Sequence, residues 1–358
     1  MQKVILAVSN DITTDQRLHK VCTSLQKAGF DPLLVGRNKT SSLPLGDRSY
    51  GTHRLPMWFD SGKFFYLELN IRLFFFLLFH EVDIITANDL DTLLPCFLVA
   101  RLKRVKLVYD SHEYFTEVPE LAHRAFEKKV WTKLEEFIFP RLDRVSTVAV
   151  SIADIYSRKY KVPVKVVRNL PHKGKALNAM KASKEKVLIY QGAINMGRGI
   201  ELMMKAMSLL PEYVLWVIGD GPLYADLSER SRLFPNVQFL GRVPFEMLHS
   251  YTEKAILGLS LEEDLGLNYR FALPNKLFDY LQSQVPIVCS DLPEMKQVVE
   301  SYELGRVLTE RTPAALAALV KEMVEDEDRM RQYQKNCLKA SEALNWEKEE
   351  EVLLGLYR

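Results

Sequence analysis

The chain has 358 residues, a formal net charge of +2, and 47% hydrophobic and 26% charged residues. The length fits two domains better than one, and the composition excludes disordered, collagen-like and fibrous classes. Charge is unevenly divided, with 25 Lys/Arg against 19 Asp/Glu in residues 1–168 and 23 against 27 in residues 169–358, a basic density too low in either half for a nucleic-acid binder.

The opening MQKVILAVSND reads as a first strand; it lacks the long apolar core of a signal peptide. Apolar runs at Val4–Val8, Pro32–Val35, Asp83–Thr86, Val105–Tyr109, Val145–Ala149 and Val164–Val167 predict strands. Helix-period stretches at Asp15–Ala28, Asp91–Arg101 and Glu120–Phe139 lie between them. The second half repeats the rhythm at Val187–Tyr190, Val214–Ile218, Val237–Leu240, Ile256–Leu259 and Ile287–Cys289. Buried-type strands alternating with helices predict parallel sheets covered on both faces. The expected architecture is α/β, two doubly wound Rossmann-like domains facing across a cleft. One domain spans 1–170 and the other 171–345, with the polar, Lys-rich stretch around 165–185 as the boundary. A last helix at 346–358 is expected to pack back on the first domain. Residues 64–80, FFYLELNIRLFFFLLFH, are too interrupted by Glu68, Asn70 and Arg72 to span a bilayer. They suit a buried helix or, through their phenylalanines, an interfacial one.

Ligands of open parallel sheets sit beyond the carboxyl ends of the strands, so the loops there carry the chemistry. In the first loop Thr13 or Thr14 suits a helix cap with Asp15 in the first turn, while Arg17 suits an anionic group. Asn88-Asp89-Leu90-Asp91 contains DxD, a pattern that holds a metal in one class of sugar-transfer enzymes, though both carboxylates equally suit helix capping. Tyr109-Asp110-Ser111-His112-Glu113 sets a histidine among carboxylates at a strand end, able to bind hydroxyls or handle a proton. In the second half, Gly192 to Gly199 forms a glycine-rich strand-to-helix turn with Arg198 as a cation, a phosphate-binding arrangement. Gly219-Asp220-Gly221-Pro222 reads as a structural turn. In Pro274-Asn275-Lys276-Leu277-Phe278-Asp279, proline opens a helix, placing Asn275 and Lys276 where a phosphate meets dipole and ammonium. Asp279, one turn deeper, is placed to accept both hydroxyls of a ribose. The four cysteines, Cys22, Cys96, Cys289 and Cys337, match no zinc or disulfide spacing, which makes a reducing compartment the default.

Taken together, TTDQRLHKVCTSLQKAGFD, ANDLDTLLP, YDSHE, VVRNLP, YQGAINMGRGIELMMKAM, VIGDGP, FLGRVPFEML, PNKLFDYLQSQVPIVCSD and NWEKEEE resemble, in order and spacing, the retaining nucleotide-sugar glycosyltransferases of glycosyltransferase family 4 (group 1), with the GT-B fold. The resemblance implies transfer of a sugar from a nucleoside diphosphate to a hydroxyl acceptor, with no cofactor and no required metal. It implies His112 at the donor sugar, with Arg198 and Lys276 on the diphosphate as catalytic cations. The nucleotide site it implies is Gly192, Arg198, Asn275, Lys276 and Asp279, with Gly241, Arg242 and Val243 at the base. Asp15, Arg17, Asp89, Asn268 and Tyr269 are candidates for donor sugar or acceptor. Four features depart from the pattern: Phe271 stands where the family has the first Glu of its pair, and Asp279 replaces the second. Ala193 stands in place of an arginine, and the first loop has no GGxxxG.

The implied mechanism is a hexosyl transfer with retention and no covalent protein nucleophile. The acceptor attacks from the face of the leaving group, and a phosphate oxygen takes its proton. A saccharide or lipid-linked acceptor is expected, as in cell-surface polysaccharide or glycolipid synthesis, with no nucleic-acid partner. Arg101, Lys103, Arg104, Lys106, Arg124, Lys128 and Lys129 suit an anionic membrane or a lipid-linked diphosphate, or simply solvated helix faces. A cytoplasmic enzyme, peripheral on the inner face of the cell membrane, is the expected setting. Two other functions fit the same architecture: a non-hydrolysing nucleotide-sugar epimerase, and a catalytically silent nucleotide-sugar-binding subunit.

Overall fold

A strand buried along its whole length needs cover on both faces, and Ile84–Asn88 and Val187–Gln191 are such strands. The computed structural model describes residues 1–13, 15–39, 42, 44–121, 124–173 and 186–358. It divides into two units, Met1–Asn169 with Glu349–Arg358, and Leu170–Lys348.

The first unit runs β1 (Gln2–Ala7), α1 (Gln16–Lys27), β2 (Phe30–Arg37), β3 (Gly51–Leu55), α2 (Gly62–Phe79), β4 (Ile84–Asn88), α3 (Leu90–Lys103), β5 (Lys106–Ser111), α4 (Ala125–Ile138), β6 (Val145–Thr147), α5 (Val150–Tyr160) and β7 (Val164–Val166). Among the described residues its strands form one parallel sheet ordered β3-β2-β1-β4-β5-β6-β7. The order reverses between β1 and β4, and ligands of open parallel sheets sit beyond the carboxyl ends at such a reversal.

The second unit runs β8 (Val187–Gln191), α6 (Ile200–Met207), β9 (Val214–Ile218), α7 (Tyr224–Arg230), β10 (Val237–Gly241), α8 (Phe245–Thr252), β11 (Leu257–Ser260), α9 (Leu267–Arg270), α10 (Asn275–Gln282), β12 (Ile287–Ser290), α11 (Pro293–Ser301), β13 (Gly305–Leu308), α12 (Pro313–Glu325) and α13 (Glu327–Ser341). Its parallel sheet is ordered β10-β9-β8-β11-β12-β13, with the reversal between β8 and β11. Apolar clusters cover both of its faces, one with Met203, Met207 and Val320, the other with Leu277, Leu281 and Met295. The final helix α14 (Trp346–Tyr357) starts in this unit, where the Trp346 amide donates to Pro171 O. From Glu349 it belongs to the first unit, where the Tyr357 hydroxyl lies 3.0 Å from Thr86 Oγ1.

Two strands escape the sequence pattern, β3 (GTHRL) and β13 (GRVL). Both are edge strands, paired on one side only, so neither needs the unbroken apolar run that marks an interior strand. In the expected helix over 120–139, regular α-helix occupies Ala125–Ile138. Residues 174–185 of the expected boundary segment lie outside the described residues, as does Thr14. The cap of α1 is Asp15, whose carboxylate accepts the Leu18 amide at 3.0 Å.

The apolar stretch at 64–80 is helical over Gly62–Phe79, with one face buried and another exposed. Phe65, Leu69, Leu73 and Leu77 of α2 are buried, while Phe64, Leu67, Ile71, Phe75 and Phe79 form an exposed stripe at helical spacing. On α4, exposed Phe126, Val130 and Phe137 alternate with exposed Lys129 and Lys133. Among the described residues no helix is long and apolar enough to cross a membrane.

Candidate active site

In the first unit the loops after β1, β4 and β5 gather four charged side chains. Arg17, one residue into α1, is 5% exposed and grips Asp110 of β5 through Nε at 3.1 Å and Nη2 at 2.9 and 3.0 Å. The same Nη2 donates to Val167 O at 3.0 Å. Asp110 also accepts the Ser146 hydroxyl at 2.8 Å and lies 3.0 Å from His112 Nε2. Behind the imidazole, Asp89 Oδ2 lies 3.3 Å from His112 Nδ1, and Asp89 Oδ1 accepts the His112 amide at 2.7 Å.

The ring is therefore sandwiched between two carboxylates. Burial opposes its charge, but Asp89 and then Asp110 outweigh burial and raise its pKa to about 9. Burial equally opposes ionisation of Asp110, and Arg17 followed by His112 holds that carboxyl well below its ordinary range. Asp91 is buried, and its Oδ1 has no hydrogen-bond partner among the described residues. Burial, then the charge of Asp89, pushes its pKa up to about 7.

The second unit builds its site around the β8–β11 reversal. Gly192, at φ 137°, ends β8 with its amide donating to Ile218 O. A Cβ there would lie 3.7 Å from Lys276 Nζ, which reaches over from the first turn of α10. The α10 amides have no side-chain cap. Lys276 is 7% exposed; its ammonium donates to Glu262 Oε1 at 2.7 Å and lies 4.0 Å from the Tyr190 ring centroid.

Arg198 stands 3.7 Å from the same Glu262 oxygen and 5.2 Å from the Tyr269 ring centroid, and its Nε has no partner among the described residues. Glu262 is fully buried and also accepts Ser260 Oγ at 2.7 Å. Burial works against its charge, but Lys276 prevails and lowers the pKa. Two cations against one carboxylate leave this cluster with a net charge of +1, suited to an anion.

Deeper in α10, Asp279 Oδ2 accepts Gln191 Nε2 at 2.9 Å, and Gln191 Oε1 accepts Thr252 Oγ1 at 2.7 Å. Gly219 makes the next loop possible. At φ 143°, a Cβ would sit 1.8 Å from Gly192 O, so the Gly219–Gly221 turn packs directly on the Gly192 loop.

The expected residues fall into two groups. Gly192, Arg198, Lys276, Asn275 and Asp279 converge on the end of β8 and the start of α10, and Tyr269 joins them through Arg198. Tyr269 also donates to Met196 O at 3.1 Å, and Asn268 stands beside it on α9. Gly241 ends β10, two strands away, and Arg242 and Val243 follow it, with Arg242 exposed and Val243 packed on the apolar core.

In the first unit three of the expected residues have partners within the protein. Asp15 caps α1, its carboxylate accepting the Leu18 amide. Arg17 is paired with buried Asp110, and its Nη1 has no partner among the described residues. Asp89 occupies the N-cap of α3 without capping it, because its carboxylate is turned to His112. Among the described residues no three His, Cys, Asp or Glu side chains cluster as metal ligands.

The sequence pattern missed Glu262 and Arg311. Glu262 lies in the loop just past β11, a position where strand-end chemistry is expected. Arg311 braces that loop from 49 residues away through Nη1 to Glu262 O and Nη2 to Leu261 O, both at 3.0 Å. No local signal marks it.

Against known proteins, residues 15–170 match the family model described as Glycosyltransferase Family 4, and residues 178–340 match Glycosyl transferases group 1. No curated protein matches. Among solved structures, sucrose-phosphate synthase from Thermosynechococcus elongatus is 16% identical with a TM-score of 0.79, covering 100% of this chain and 98% of that one. A glycosyltransferase from Rickettsia africae is 12% identical with a TM-score of 0.76, covering 99% and 97%. HepE of Anabaena, solved with UDP and glucose, is 14% identical with a TM-score of 0.73, covering 99% of each chain. Two strand-end sites on two doubly wound sheets, matched by both family models, make this chain a glycosyltransferase of family 4 (group 1) with the GT-B fold.

Proposed function

We propose that this glycosyltransferase takes its sugar from a nucleoside diphosphate and transfers it, as a hexose, to a hydroxyl acceptor with retention of anomeric configuration. The observation that carries the proposal is the cationic cluster of Lys276 and Arg198 at the Gly192 loop, next to the uncapped start of α10. Bond breaking between sugar and phosphate builds negative charge on the departing diphosphate, and those groups are suited to stabilise it. Asp279, already accepting one amide proton from Gln191, suits the ribose hydroxyls, and the Gly241–Val243 loop suits the base. The acceptor attacks on the leaving-group face and a phosphate oxygen takes its proton. The complexes of HepE with UDP-glucose support a uridine donor as the first to try.

Purified chain with UDP-α-glucose and no acceptor should slowly release glucose, and proton NMR taken early should show the α anomer. Early β-glucose overturns retention. A new sugar nucleotide would instead indicate an epimerase, and donor binding without any turnover a silent subunit. Donor at 100 times its dissociation constant should add about 2.7 kcal/mol of stability.

The acceptor in this proposal is borne by an anionic membrane, with the enzyme peripheral to its cytoplasmic face in glycolipid or surface-polysaccharide synthesis. Support comes from the exposed stripe Phe64, Leu67, Ile71, Phe75 and Phe79 on α2, and from the mixed apolar and lysine stripe on α4. Apolar side chains inserted at a headgroup boundary with lysines beside anionic lipid give additive binding. The chain should sediment with anionic vesicles at low salt, should release as salt rises, and should bind less when Phe75 and Phe79 are changed to Ser. Failure to sediment at low salt removes the membrane from the proposal.

A further inference from the structure

Asp89 joins β4 to α3 in a strained backbone conformation. Its φ of 62° with ψ of 167° belongs to a region that strains any residue carrying a Cβ. As the residue preceding α3 it should cap that helix, yet its side chain bonds none of the helix amides. The carboxylate instead takes the His112 main-chain amide at 2.7 Å and approaches His112 Nδ1 at 3.3 Å, while Asp110 holds Nε2 at 3.0 Å. Backbone strain that persists at a candidate site, and brings no helix cap, points to a use beyond folding.

We propose that Asp89 is a positioning residue for His112: its strained backbone aims a carboxylate at the ring and locks the imidazole against Asp110 for the transfer step. This rests on the transferase reading. A ring gripped at both nitrogens cannot flip without losing two contacts. A ring already held in one orientation need not reorient as the transfer step proceeds. The charged groups that act on the ring are Asp89 ahead of α3, Asp110 on β5, Arg17 on α1 and Asp91 in the first turn of α3. Arg17 opposes the ring's charge, and the carboxylates favour it.

Three variants separate positioning from folding. Asp89→Ala removes the carboxylate and keeps the strain; Asp89→Gly removes both; Asp89→Asn keeps the shape and removes the charge. The glycine variant should melt a few degrees above the alanine variant, the reverse of the usual order for these residues. In all three the His112 ring, identified by the proton resonance that vanishes in His112→Gln, should titrate lower by about one unit or more. In all three kcat for donor hydrolysis should fall about tenfold or more while the donor KM changes little.

A purely structural Asp89 predicts that activity follows stability, so a glycine variant that regains kcat along with its melting temperature overturns the proposal. An unchanged ring titration overturns it as well. If the unmodified chain turns over no nucleotide sugar, the transferase reading fails, while the melting order and the ring titration still decide whether the clamp exists.

Discussion

Lys276→Met should destabilise the second unit by about 3–5 kcal/mol, because it leaves Glu262 as a buried carboxylate without its partner. Glu262 is fully buried, and its remaining neighbours are Ser260 Oγ at 2.7 Å and Arg198 at 3.7 Å. Neither replaces an ammonium at 2.7 Å. The double variant Glu262→Gln/Lys276→Met removes the stranded charge and should recover most of that loss, to within about 1–2 kcal/mol of the parent. Donor binding separates the two effects. In both variants the Lys276 ammonium beside Gly192 is gone, so affinity for UDP should stay below the parent's even in the double variant, whose cluster keeps a net charge of +1 through Arg198. Urea unfolding and calorimetric titration with UDP read the two quantities independently. A single variant that costs less than about 1 kcal/mol would mean that Lys276 and Glu262 are not the pair that holds this loop. The acid side offers a second check. The folded pKa of Glu262 is lowered, so its contribution is present above the unfolded value of about 4.5 and fades as pH falls below it.

The fold could be read from the chain because interior parallel strands carry an unmistakable pattern. Val187–Tyr190 is apolar and buried at every position, with only the strand-end Gln191 polar. Edge strands β3 and β13 need no such composition and so left no trace. Residues at the ends of strands were legible where their own segment announced a role. Arg198 lies in a glycine-rich turn, and Lys276 follows a helix-opening proline.

What the chain conceals is pairing. Arg17 and Asp110 are 93 residues apart, and Lys276 and Glu262 are 14 apart on different elements. Each carboxylate partner becomes visible only once the fold brings the two segments together. Asp89 shows the same limit in another form. As an aspartate at a helix start it has every local mark of a cap, and only the backbone angle and the place of His112 reveal its different task.

Between pH 6.5 and 9 the first unit should lose about 3 kcal/mol of stability, and His112 should account for most of that loss. The sign follows from the direction of the shift. His112 has a folded pKa raised from 6.5 to about 9, so the folded chain binds a proton that the unfolded chain releases. The stabilisation is complete below pH 6.5 and disappears as pH passes through the folded value. Asp110 does not contribute in this window, since its carboxyl is held below the ordinary range and stays ionised throughout. Asp91 acts earlier. Its pKa is raised to about 7, so it costs stability progressively from about pH 4 to 7 and adds little slope above that. The two slopes can be removed one at a time. His112→Gln should flatten the limb above pH 6.5 and leave the lower one, whereas Asp91→Asn should do the reverse. Urea-dependent hydrogen exchange in peptides spanning Ile84–Asn88 and Lys106–Ser111 reports this unit alone, because both strands belong to its sheet. A limb above pH 6.5 that survives in His112→Gln would show that the imidazole is not held as a cation between Asp89 and Asp110.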